Sequence, residues 1–106
     1  MTTLSTHVLD VERGIPAAGV PVALYTADGV VAQAVTNEDG RIPQLATVYA
    51  GVYRIAFDAA AYFASQGRAA PFLKRVSLEF EVDALAPHCH VPLLLSPFAC
   101  TSYRGS

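Results

Sequence analysis

An all-β fold, an antiparallel sandwich of seven to eight short strands with one brief helix, is the architecture this chain predicts. Three features point to it. Short segments alternate apolar and polar residues at the strand period of two. Gly, Asp, Asn and Pro cluster between them at turn-like intervals. Only one stretch, Ala59 to Gly67, has a helical composition.

Leu4 to Val11 alternates, carries β-branched residues and reads as a strand holding His7, which stops at Glu12-Arg13-Gly14. Gly14 to Gly19 contains Pro16 and reads as a loop. Val20 to Thr26 and Val30 to Thr36 are strands joined through Ala27-Asp28-Gly29, because Asp and Gly accept the backbone conformations that tight hairpins need. Asn37-Glu38-Asp39-Gly40 is a second turn with Arg41 at its exit, and Pro43 confines the following strand to an edge or a short piece. Gly51 to Asp58 places Tyr53, Ile55 and Phe57 on one face. Asp58 can then cap the alanine-rich helix, and Gly67 can end it in the left-handed conformation. Lys74 to Val82 turns Val76, Leu78, Phe80 and Val82 inward and Ser77, Glu79 and Glu81 to water. Pro87 resets the chain before a last strand pair, with Thr101 to Tyr103 as the final strand.

With 106 residues and no internal repeat or linker, the chain reads as one domain over 1–106, small enough that assembly would help bury surface. Over half its residues are apolar, yet the longest such stretch, near Val91 to Cys100, is broken by Pro92, Ser96 and Pro97 and falls short of the roughly 18 residues a spanning helix needs. No membrane association is expected. A net charge of −2 with no basic stripe argues against nucleic acid as a partner. The first residues lack a secretory pattern and the last lack a peroxisomal one, so a cytoplasmic location is expected. Two cysteines, Cys89 and Cys100, are too few for a disulfide framework and read as reduced thiols.

The chemistry concentrates in the last nineteen residues. His88 and His90 stand two apart in an extended segment, so they project to one side while Cys89 and Val91 project to the other. The terminus, Tyr103-Arg104-Gly105-Ser106, adds a phenol, a permanent cation and a carboxylate. Imidazole has an ordinary pKa of about 6.5, suited to proton transfer near neutrality, and guanidinium is a forked cation able to hold a carbonyl-rich or anionic substrate. Taken singly, His7 in a strand and Arg41 after a turn read as a structural residue and a solvated one.

The pattern HxHVPLLLSP followed by a terminal YRGS, together with Ser5-Thr6-His7-Val8-Leu9-Asp10 and Asn37-Glu38-Asp39-Gly40-Arg41, resembles the 5-hydroxyisourate hydrolases, the transthyretin-like enzymes of urate breakdown. The resemblance runs in order along essentially the whole chain. It implies a transthyretin-like sandwich, a homotetramer, and metal-independent hydrolysis of 5-hydroxyisourate with no cofactor. It further implies that His7, Arg41, His90 and the terminal tetrapeptide meet in one cleft. In that assignment His7 and His90 position and deprotonate water, and Arg41 binds substrate and the developing charge. Tyr103 contacts the substrate, Arg104 and Ser106 order the pocket, and His88 supports the pair from beside it. The sequence departs from the family pattern at Cys89, where a tyrosine is usual, and at Phe98-Ala99-Cys100, where the spacer is usually richer in tyrosine and glycine.

Two rivals come from the residues themselves and a third from the resemblance to transthyretin. A His-x-His strand with a third histidine has the makings of a zinc site, but Cys89 faces away and no carboxylate flanks the pair. A serine nucleophile lacks a glycine elbow at Ser96. A small-aromatic-ligand carrier on the same sandwich remains open, because fold alone does not establish catalysis.

Overall fold

The computed structural model describes residues 1–105 of the chain. In order they form β1 (Thr2–Asp10), β2 (Ile15–Pro16), β3 (Pro21–Thr26), β4 (Gly29–Val35), β5 (Arg41–Val48), β6 (Gly51–Asp58), α1 (Ala59–Ser65), β7 (Arg75–Val82), β8 (His88–Leu95) and β9 (Cys100–Ser102). One sheet runs β2-β1-β8-β9 with β5 also paired to β1, and the other runs β4-β3-β6-β7. No helix among the described residues is long and apolar enough to cross a membrane.

Period-two alternation builds the layer between the sheets. In β1 the even-numbered positions are buried and the odd ones only half-buried, so Leu4 and Val8 point inward with Leu93 and Leu95 of β8. From the facing sheet come Leu24, Ile55 and Phe57. The helix closes one flank with Tyr62 and Phe63, both fully buried. Asp58 caps it by accepting the Ala61 N–H at 3.0 Å, and Gly67 ends it at φ 66°.

Three details differ from the sequence expectation. The segment Gly14 to Gly19 contributes a two-residue strand, Ile15–Pro16, that pairs with Leu9 and Asp10. Strand β9 starts one residue earlier than expected and leaves Tyr103 beyond its end. Finally, β1 and β8 run parallel over eight residue pairs, Thr3 to Asp10 against His88 to Leu95, in an otherwise antiparallel arrangement. A parallel ladder cannot be closed by a tight turn, and these strands are separated by most of the chain, so no local turn signal announces it. This central parallel pair, with β5 on the other side of β1, sets the position of every polar side chain on the sheet's outer face.

Candidate active site

That outer face carries the ionisable residues. Antiparallel pairing puts Arg41 directly opposite His7, and parallel pairing puts His90 beside Ser5. Residues adjacent in register share a face, so Arg41, His7, Ser5 and His90 lie side by side across three strands. Pro43 of β5 and His88 of β8 complete the lining of a cleft of about 420 Å³, which Ser5, Thr6, Arg41 and His90 also border.

Arg41 is delivered by a tightly built turn. The Asn37 Oδ1 accepts the N–H groups of Asp39 at 2.9 Å and Arg41 at 3.0 Å. Gly40 follows with φ 73°, its carbonyl accepting the Val8 N–H at 2.7 Å, and a Cβ at this position would collide with the Val8 carbonyl. Both the left-handed backbone and the close approach require glycine. Among the described residues no carboxylate pairs with Arg41.

His90 is the best-anchored imidazole. Its Nδ1 lies 2.8 Å from the Ser5 hydroxyl. The Gly105 N–H donates to the His90 carbonyl at 2.9 Å, which bridges the chain end onto β8. A side chain at Gly105 would sit 2.5 Å from the His90 Cδ2, so only glycine lets the terminus lie against the ring. Burial holds the His90 pKa below the ordinary histidine value, and the positive charges of Arg41 and His7 lower it further, against a smaller opposing effect of the Ser5 backbone. The ring is therefore neutral at pH 7 and able to accept a proton.

On the other side of β8 lies a second cavity of about 330 Å³. Cys89, His90 and Val91 border it together with Leu78 and Phe80 of β7 and with Ser102, Tyr103 and Arg104. His90 is common to both cavities. His88, His90 and Arg41 thus share the cleft, with His7 opposite Arg41. Tyr103 and Arg104, both exposed, stand at the adjoining cavity. The expected role of Ser106 lies outside the described residues. As the alternation predicts, Cys89 faces away from the cleft, and burial raises its thiol pKa while Arg104 opposes the shift. Among the described residues no three His, Cys, Asp or Glu side chains come together as a metal-ligating group.

The sequence reading overlooked Ser5 and Gly105 as neighbours of His90. Ser5 was findable, because it stands two positions before His7 and so shares its face; its pairing to His90 depends on the parallel ladder. Two imidazoles and a guanidinium that no carboxylate pairs among the described residues, gathered on one face, can take a proton from water and stabilise negative charge developing on a substrate oxygen.

The family described as HIUase/Transthyretin matches residues 4–105 of the chain. The 5-hydroxyisourate hydrolase of Pseudomonas aeruginosa is 38% identical, with all of this chain and 93% of the relative covered. That of Deinococcus radiodurans is 43% identical, covering 97% and 95%. Among solved structures, Klebsiella pneumoniae 5-hydroxyisourate hydrolase superposes with a TM-score of 0.91 at 40% identity over the full length of both chains. Sea bream transthyretin in complex with thyroxine superposes with a TM-score of 0.87 at 36% identity, covering 97% and 94%.

Proposed function

The chain belongs to the HIUase/transthyretin family, and from that premise we propose that it hydrolyses 5-hydroxyisourate to 2-oxo-4-hydroxy-4-carboxy-5-ureidoimidazoline in urate degradation. The observation that carries this reading is the grouping of the half-buried His90, anchored by Ser5 at 2.8 Å, with Arg41 and His7 on one outer face.

His90, with His7, positions a water in the cleft and takes its proton as the oxygen attacks a ring carbonyl. Arg41 holds the substrate and stabilises the negative charge that develops on the carbonyl oxygen. As the tetrahedral centre collapses, the ring C–N bond breaks, the nitrogen takes up the proton from the imidazolium, and a carboxylate is left. General-base help of this kind is worth about 10²- to 10⁴-fold. Tyr103 contacts the substrate from the adjoining cavity, Arg104 orders that wall, and His88 supports His90 from the cleft side. The reaction uses no metal or cofactor.

The protein acts as a single domain over 1–106, assembled as a homotetramer in the cytoplasm. The support for assembly is that, among the described residues, β9 pairs only with β8, in a chain that also exposes Phe72, Leu85 and Phe98. An edge left open is a template for pairing with another chain. The likeness to transthyretin in complex with thyroxine favours a second reading, a carrier of small aromatic ligands.

The test is the ultraviolet decay of freshly prepared 5-hydroxyisourate. Native protein should accelerate it, before and after prolonged chelation, and His90→Asn or His7→Asn should slow it by orders of magnitude without changing the circular dichroism. Tight ligand binding with no acceleration would establish the carrier reading instead. Gel filtration at micromolar concentration should give a tetramer.

A further inference from the structure

The ring of His90 is held at two of its edges. Ser5 Oγ occupies Nδ1 at 2.8 Å. Gly105 lies against the Cδ2 and Cγ side, where an added Cβ would fall 2.5 and 3.1 Å from those atoms. Nε2 and Cε1 remain, and among the described residues Nε2 has no hydrogen-bond partner. An imidazole held at Nδ1 has two neutral forms with opposite chemical consequences. With the proton on Nε2, the ring cannot accept a proton there. With the proton on Nδ1, Nε2 carries the lone pair and can act as a base.

Resting on the reading that His90 takes the proton from water, we infer that Ser5 is a positioning residue that holds His90 in the Nδ1-protonated tautomer, its hydroxyl oxygen accepting from Nδ1–H and leaving Nε2 as the proton acceptor. A hydroxyl can accept as well as donate, so Ser5 Oγ at 2.8 Å is able to take the hydrogen bond of an Nδ1–H. The Ser5 hydroxyl proton is then free to donate into the cleft that Ser5 lines. The parallel register of β1 and β8 makes the arrangement possible by setting Ser5 beside His90 along the ladder. Gly105 keeps the ring from swinging away.

The experiment is nitrogen-15 spectroscopy of the imidazoles in the intact protein at a pH where His90 is neutral, with its signals assigned by their loss in His90→Asn. The native protein should show a protonated Nδ1 and an unprotonated Nε2. Ser5→Ala should shift the ring toward the other tautomer and lower kcat about tenfold, a part of the about 10²- to 10⁴-fold that a general base supplies, with KM changed less than about twofold. Ser5→Thr, which retains the hydroxyl and suits a strand, should restore both the tautomer and the rate. An Nε2-protonated ring in the native protein overturns the inference and needs no variant to observe. So does Ser5→Ala with native tautomer and native kcat. Full activity in His90→Asn would instead overturn the base assignment, and it leaves the tautomer measurement to be judged on its own.

Discussion

Strand β1 carries two polar clusters, one at each side of its pleat, and they are built on opposite plans. At Asp10 every charge is matched. The carboxylate is fully buried and accepts from the Tyr62 hydroxyl at 2.8 Å, from Arg68 at 2.6 Å and from the Arg13 N–H at 3.1 Å, while Arg68 also pairs with Glu12. Burial alone would raise the Asp10 pKa, but Arg68, Tyr62 and the Arg13 N–H together hold it below its ordinary value. Three residues away, His7 faces Arg41 with His90 beside them, and positive or protonatable groups are gathered among the described residues without a carboxylate. The first cluster satisfies itself and ties the end of β1 to the segment after α1. The second leaves its charges open to a ligand among the described residues, as the proposed active site requires.

The largest effect expected from this contrast is on chemistry. Arg41→Ala should lower kcat/KM about 10²- to 10³-fold, the range for losing a group that stabilises developing charge, while leaving the urea midpoint unaltered. It should also move the acid limb of the rate profile. In its proposed role His90 accepts a proton only when neutral, and Arg41 helps to hold its pKa below the ordinary value of about 6.5. Without that charge the pKa rises, more of the ring is protonated at pH 6, and the variant should lose more activity at pH 6 than at pH 8. A parallel loss at both would disconnect Arg41 from His90.

Asp10→Ala should behave in the opposite way. It strips the acceptor from Tyr62 and Arg68 and should cost about 2 to 4 kcal/mol in urea unfolding, with kcat of the folded protein unchanged. The pH dependence follows from the lowered carboxylate pKa. This contribution is fully present above the ordinary Asp value of about 3.9 and is lost as pH falls through the lowered native value. Native protein should therefore lose stability in that acid window, and Asp10→Asn should flatten this part of the curve. The smallest effect is that of Tyr62→Phe, which removes one hydrogen bond to the same carboxylate, about 1 kcal/mol, with no change in rate.

Much of this was legible in the sequence, and what was not has a common cause. Alternation placed His88 and His90 on one side of their strand, and the Asn37 to Gly40 turn announced Arg41, because these depend on neighbours a few residues away. The Asp10–Arg68–Tyr62 cluster and the Ser5–His90 contact were hidden. Each joins residues more than fifty positions apart, and nothing local in Asp10 or Ser5 says which distant strand will lie beside it. Gly105 read as a signature residue, but its reason, the close packing of the chain end on an imidazole, appears only when β8 is in place.

The parallel ladder between β1 and β8 also bears on how the protein comes into being. Ser5 meets a partner 85 positions further along, so joining these strands closes a long loop. Such distant pairing slows folding relative to chains rich in local contacts. During synthesis, β1 must wait beside a growing nascent chain for a neighbour made much later, with its apolar face uncovered in the interval. The β3-β4 hairpin can form locally, whereas the face that carries His7, Arg41 and His90 is complete only once His88 to Leu95 has joined β1.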